Sequence, residues 1–201
     1  MIETLVIIIA YLMGSVSSAV IISAVMHLPD PRTQGSGNPG ATNVLRLGGK
    51  RAAAMVLTGD MLKGLIPVLI GKALAPSPTV VAAVGLAAFL GHLFPVFFRF
   101  KGGKGVATAL GVWLGIATPV GLLLLAMWVI TALLFRISSL AALAATVTAP
   151  LWSLWLLDAP VYSAMAVVMS ALLIWRHRVN IRNLVNGTEP KIGKKRPDPA
   201  G

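Results

Sequence analysis

Between residues 5 and 175 the chain is a nearly unbroken succession of apolar runs, at 5–26, 52–73, 79–98, 106–135, 138–157 and 161–175. Nothing else in the sequence constrains the fold as strongly. At about 1.5 Å of helical rise per residue, a run of roughly twenty residues reaches across the hydrocarbon of a bilayer. Only 11% of the 201 residues are charged against 57% hydrophobic, more apolar surface than a soluble domain of this size could hide. Part of the solvent is therefore lipid, and the expected fold is an all-α, polytopic membrane protein forming one domain over residues 1–201. The first run carries Glu3 and no Lys or Arg before it and continues past Ala19, so it reads as a retained helix and not a cleaved leader.

The run at 106–135 is too long for one span, and Ala117-Thr118-Pro119-Val120-Gly121 reads as a tight turn that divides it. Seven transmembrane helices result. Lys and Arg outside the spans, Lys72 excepted, fall in loops at about 27–51 and 98–105, at Arg136 and in the tail 176–201. All of these lie on one side if there are seven spans, which makes that side the cytoplasm and puts the N-terminus outside. The net charge of +11 would point to nucleic acid in a soluble protein, but here it is explained by these loops, so no nucleic-acid partner is expected. Cysteine is absent, and His27, His92 and His177 are too scattered for a metal cluster, so neither thiolate chemistry nor a metal is expected.

Small residues mark where helices approach closely: Ala10, Gly14 and Ser18 along the first run, and Gly111 with Gly115 in the fourth segment. Asp60 and Lys63 share one face roughly 14 Å inside the second run, where ionisable groups are costly unless paired or facing a polar cavity. They read as a structural ion pair or as a support that orients the loops, and His92, alone in an apolar helix, joins them in that supporting role.

The loops carry the chemistry. Phe100-Lys101-Gly102-Gly103-Lys104-Gly105 sets two lysines among three glycines, so bare amides and ammonium groups can close around an anion. It is no nucleotide P-loop, because Gly105 follows Lys104 where Ser or Thr is needed. Alone, it is equally a Gly-rich turn marking the cytoplasmic side. Residues 35–46 add Ser36, Gly37, Asn38, Thr42, Asn43 and Arg46, a set of hydroxyl, amide and guanidinium donors. In the tail, His177 and Asn180 share a face if the last helix extends past Trp175. Three segments thus bring phosphate-type donors to one membrane face, and a phosphorylated ligand at the lipid boundary is the inference.

These same residues carry a resemblance. Gly35-Ser36-Gly37-Asn38 through Thr42-Asn43 and Arg46, then Asp60-x-x-Lys63-Gly64, then Gly91-His92 through Gly105-Val106-Ala107-Thr108 resemble the signature blocks of the bacterial acyl-phosphate-dependent glycerol-3-phosphate acyltransferases. Arg176-His177-x-x-Asn180 and Gly187-Thr188-Glu189-Pro190 extend the likeness over the whole length. The chain departs from that pattern at Val16-Ser17-Ser18-Ala19, where a proline and a second glycine are usual, and at Asn183, where a basic residue is usual.

The resemblance implies acyl transfer from acyl phosphate to the 1-hydroxyl of sn-glycerol 3-phosphate, the first step of phospholipid synthesis, without a cofactor, in the bacterial inner membrane. It implies Ser36, Lys104, His177 and Asn180 as catalytic residues. Ser36, Gly37, Gly102, Gly103 and Lys104 would hold the acyl-phosphate end, and Arg46, Lys104, His177 and Asn180 the glycerol phosphate, with Asn38, Thr42 and Asn43 shaping the site. The phosphate of the donor would accept the hydroxyl proton. A monomer is one admissible state. The alternative, a transporter or channel for a phosphorylated metabolite, would be expected to show internal repeats and charges along a path through the bilayer, whereas here the polar residues gather at one face.

Overall fold

The computed structural model describes residues 1–192, which are helical apart from their connections, with no strand among them. The helices are α1 (Ile2–Gly14), α2 (Ser18–Val25), α3 (Ala41–Leu74), α4 (Pro78–Leu93), α5 (Val106–Ile116), α6 (Thr118–Phe135), α7 (Ser138–Leu156), α8 (Pro160–Arg176) and α9 (Arg178–Val185), with a 3-10 turn at Val96–Phe98. Ala41–Leu74, Pro78–Phe98, Thr118–Phe135 and Ser138–Leu156 are long and apolar enough to cross a membrane, and the bent pair α1 and α2 makes up to five such spans. Large apolar side chains such as Leu133, Leu134 and Trp155 are about three-quarters exposed, as befits an integral membrane protein whose outer solvent is lipid. Helices α5 and α8 are apolar but shorter. The eleven residues of α5 rise only roughly 16 Å, about half the hydrocarbon thickness.

Each predicted apolar run is helical, and the division of the fourth falls at Ala117, whose extended backbone lets Pro119 sit in the first turn of α6. Three boundaries differ from expectation. The run at 5–26 is two helices bent by 43° about Ser15–Ser17. The break leaves the Val16 carbonyl without a helical partner, and Lys63 Nζ donates to it at 2.7 Å. The small-residue stripe is accordingly shared out: a Cβ on Gly14 would strike the Ala88 carbonyl of α4, while Ser18 lies against Gly59 of α3. The loop expected over 27–51 is already helical from Ala41, because Val44 packs fully buried with Ala19, Ala52 and Val56. Gly49, at φ 78°, then breaks the helical path in a conformation glycine adopts at little cost. Helix α8 ends at Arg176 and His177 caps α9 at the corner, so His177 and Asn180 sit together at the head of a new helix instead of riding on an extension of α8.

Helices α4, α5, α6, α7 and α8 close a ring in which each packs on the next and α8 returns to α4. α3 lies along α5 and α4, with α1 against α3 and α4. Among apolar lipid tails burial alone does not drive helices together, so close backbone approach has to do it. Gly111 supplies that approach: a methyl there would run into the Met61 carbonyl, and Gly64 faces Thr108 in the same way. At the far end of α5, Lys72 Nζ donates to the Gly115 and Ile116 carbonyls at 3.1 and 3.2 Å, closing the helix end that has no further turn to do so.

Candidate active site

The ring encloses a cavity of about 400 Å³, in the range of small-molecule sites. Its depth is apolar, lined by Trp113 and Leu114 of α5, Leu124 and Trp128 of α6, Ala149 of α7 and Met169 of α8. From Ser139 at the mouth to Ala149 the cavity wall runs ten residues down α7, roughly 15 Å. The mouth is polar, and all three segments singled out from the sequence reach it: Ser36, Asn38, Thr42 and Arg46 from the first, Lys104 from the second, His177 and Asn180 from the third.

Asn43 also borders the cavity, yet its amide is fully used within the protein. Nδ2 donates to the Pro31 and Gln34 carbonyls at 2.9 and 3.0 Å, and Oδ1 accepts the Ser36 amide at 2.9 Å. Gly35, at φ 64° and with Asn43 Oδ1 where a Cβ would stand, allows that wrap. Asn43 therefore sets where Ser36 sits. Thr42 Oγ1 lies 3.2 Å from Ser138 Oγ, linking the first segment to the top of α7. A bidentate contact of Arg32 with Asp30 braces the same loop and holds the Asp30 carboxyl below its usual range.

In the lysine loop, Gly105 takes φ 88° beneath Phe89 and Leu93, where no side chain fits, and starts α5. Lys104 Nζ donates to Asn180 Oδ1 at 2.5 Å. Asn180 is oriented from its other end, since Nδ2 donates to Glu189 Oε1 at 2.6 Å, and the same oxygen accepts Ser139 Oγ at 2.7 Å. Asn183 donates its amide to Glu189 Oε2 at 3.1 Å. A chain of hydrogen bonds thus runs from the tail to the loop lysine. Gly102 and Gly103 are buried behind Lys104 and do not line the cavity, and Gly37, at φ 69°, lies outside the lining as well.

His177 is 2% exposed, and its Nδ1 lies 2.8 Å from the Leu173 carbonyl. A carbonyl only accepts, so Nδ1 carries the proton and Nε2 is left with its lone pair. Burial, with the Lys104 ammonium adding to it, holds the His177 pKa down at about 4. The ring is neutral at physiological pH, so it serves the site as a hydrogen-bonding group and not as a cation. Beneath the lysine loop, Asp60 and His92 form part of the cavity wall, with Asp60 Oδ1 3.0 Å from Lys63 Nζ and 3.7 Å from His92 Nδ1. Lys63 lies outside the lining, between Asp60 and the Val16 carbonyl.

Sequence reasoning missed Glu189 and Arg176 as organisers of the mouth, although both stand inside recognised blocks. It also missed every apolar wall residue, for which hydropathy offers no signal separating a cavity wall from a lipid-facing side. Among the described residues no cluster of three or more His, Cys, Asp or Glu could hold a metal ion.

Fold and site define a helical integral membrane protein in which one cavity joins a cationic, hydrogen-bonding mouth to an apolar interior. Comparison with known proteins narrows that class. The family described as glycerol-3-phosphate acyltransferase matches residues 4–187. The chain is 61% identical over 196 residues to the glycerol-3-phosphate acyltransferase of Methylococcus capsulatus, covering 97% of this chain and 98% of that one. It is 51% identical to that of Halorhodospira halophila over 96% and 98% of the two chains. The crystal structure of PlsY (YgiH), an integral membrane glycerol 3-phosphate acyltransferase in its glycerol 3-phosphate form, superposes with a TM-score of 0.91 at 42% identity, covering 96% of each chain. Its lysophosphatidic acid form gives 0.88 at 41%. The chain belongs to the glycerol-3-phosphate acyltransferase family and is an enzyme of that family.

Proposed function

We propose that the protein transfers a fatty acyl group from acyl phosphate to the 1-hydroxyl of sn-glycerol 3-phosphate, giving lysophosphatidic acid and inorganic phosphate, and so begins phospholipid synthesis. The observation that carries this reading is the continuity of one cavity: the mouth offers donors for two phosphate groups, and the depth is a slot for a hydrocarbon chain. An acyl phosphate is itself such a molecule, anionic at one end and apolar at the other. The glycerol 3-phosphate and lysophosphatidic acid forms of the PlsY crystal structure, a protein 41–42% identical to this chain, support the same acceptor and product.

Arg46 and Lys104 grip the glycerol phosphate, Arg46 through its planar fork. Neutral His177 has its bare Nε2 for a glycerol hydroxyl, and Asn180 fixes the position of Lys104. Ser36 and Lys104, both on the cavity lining, hold the acyl-phosphate end and the oxyanion that develops at its carbonyl, with Gly37, Gly102 and Gly103 shaping the backbone behind them. The hydroxyl oxygen attacks the acyl carbon, the bond from that carbon to the phosphate oxygen breaks, and the departing phosphate takes the hydroxyl proton. No side chain need form a covalent bond, since phosphate already leaves readily and holding the reactants in contact supplies much of the acceleration.

The topology that suits this chemistry has seven spans in a single domain, the N-terminus outside and the mouth at the cytoplasmic face of the bacterial inner membrane. Arg46 of 27–51 and Lys104 of 98–105 border the mouth beside His177 and Asn180 of the tail, which supports this sidedness, and residues 193–201 lie outside the described residues. A monomer suffices, because every proposed site residue comes from one chain. The test is purified protein with acyl phosphate and glycerol 3-phosphate, following phosphate release, with acyl-CoA as a parallel donor. Turnover with acyl phosphate alone is expected; turnover only with acyl-CoA would replace the donor, and none with either would overturn the reaction.

A further inference from the structure

We infer that Arg176 is a positioning residue for the reaction proposed above, on which this inference rests: its guanidinium fork locks the peptide planes at Gly102-Gly103-Lys104 so that consecutive amides face the anion. From the last turn of α8, Arg176 Nη2 donates to the Gly102 carbonyl at 2.5 Å and Nε to the Gly103 carbonyl at 3.1 Å. In a planar trans peptide the C=O and the next N–H point to opposite edges. With both carbonyls turned to Arg176, the amides of Gly103 and Lys104 are turned away from it together.

Such a lock answers a specific need. Glycine peptides rotate freely, so a run of them makes a poor anion cradle unless something outside the run fixes their planes. On the loop's other faces there is no slack: a Cβ at Gly102 would meet the His92 and Leu93 carbonyls, and one at Gly103 the His92 ring. The Gly103 amide, the first of the two that the fork turns away, meets no acceptor among the described residues, although the glycine is buried. Donors held without an internal partner in a buried loop are suited to an incoming anion. The same corner of the chain sets the loop's side chain, because Asn180, four residues after Arg176, receives Lys104 Nζ. One turn of structure therefore aims both the main-chain and side-chain donors. A lysine at position 176 would keep the charge but has a single donor point and no fork.

The experiment uses full-length protein in detergent, comparing wild type with Arg176→Lys and Arg176→Ala. For Arg176→Lys, kcat is expected to fall about 10- to 100-fold with the KM for glycerol 3-phosphate within about threefold of wild type. Calorimetric titration with inorganic phosphate is expected to show affinity about tenfold weaker. Millimolar guanidinium should restore part of the Arg176→Ala activity, whereas urea should not. Near-normal kcat and phosphate affinity in Arg176→Lys would mean that charge alone matters and would overturn the inference. Loss of a monodisperse peak for both variants would make Arg176 a residue of the fold and overturn it equally. Wild type that binds phosphate but fails to turn over would strike the proposed reaction, while the phosphate titration would still decide the role of Arg176.

Discussion

Lowering the pH tests the account of His177 directly. In the folded protein its pKa is held at about 4, and on unfolding it returns to 6.5, so the folded state binds fewer protons between these values. Stability contributed by the neutral ring is intact above pH 6.5 and is lost as the pH falls toward 4. At pH 8 neither state is protonated and the effect is negligible. At pH 5 the unfolded ring is nearly fully protonated and the folded one about a tenth so, which costs the folded state about 2 kcal/mol. For a chain of this length that is roughly 4–8 °C in Tm. The other charges facing the ring, Lys104, Arg176 and Glu189, stay in place when it is replaced. The assay is therefore thermal unfolding in detergent of wild type and His177→Asn at pH 5 and pH 8. The Tm advantage of wild type should shrink by that amount at the lower pH. An equal gap at both values would refute the claim that His177 is buried and neutral.

Replacing Lys104 with Ala should lower turnover about a hundredfold or more while leaving a folded, extractable protein, as phosphate release and size-exclusion chromatography would report. Arg46→Lys should raise the KM for glycerol 3-phosphate about tenfold with a smaller effect on kcat, because the two-point grip is lost; an unchanged KM removes Arg46 from the substrate site. Ala149→Leu fills the deep end of the cavity and should reduce kcat/KM for the longest acyl chains about tenfold relative to short ones, measured with a series of acyl phosphates. Gly111→Ala drives a methyl into the Met61 carbonyl and should cost about 1–3 kcal/mol, seen as a lower Tm with no change in KM.

Features with a local cause were legible in the sequence. Gly111 and Gly115 lie against Met61 and Val68 of α3 as their spacing implies, Pro119 starts a helix, and Asp60 pairs with Lys63. That Ser36, Lys104 and His177 border one cavity was legible too, because counting the spans assigned their three segments to the same side. What escaped depends on partners distant along the chain. The break at Ser15–Ser17 is supported by Lys63, forty-seven residues after the Val16 carbonyl to which it donates. The helical start at Ala41 depends on a small apolar cluster with Ala19 and Val56. Trp128 lines the cavity and Trp155 faces lipid, yet hydropathy gives the two the same weight. Arg176 and Glu189 act through carbonyls and amides of other segments, and charge counting sees them only as more loop polarity.

Lys72 bears on how the chain is threaded during biogenesis. On the proposed topology it is the one basic residue that must cross to the exterior, and in the finished bundle its ammonium rests on the carboxyl end of α5. That resting place does not exist while α3 is emerging, since α5 has yet to be synthesised. Orientation must then be decided against Lys72 by Arg46, Lys50 and Arg51 at the start of α3 and by the cations that follow α4, and the late arrival of α5 gives hydrogen-bond acceptors to a charge that had opposed correct insertion.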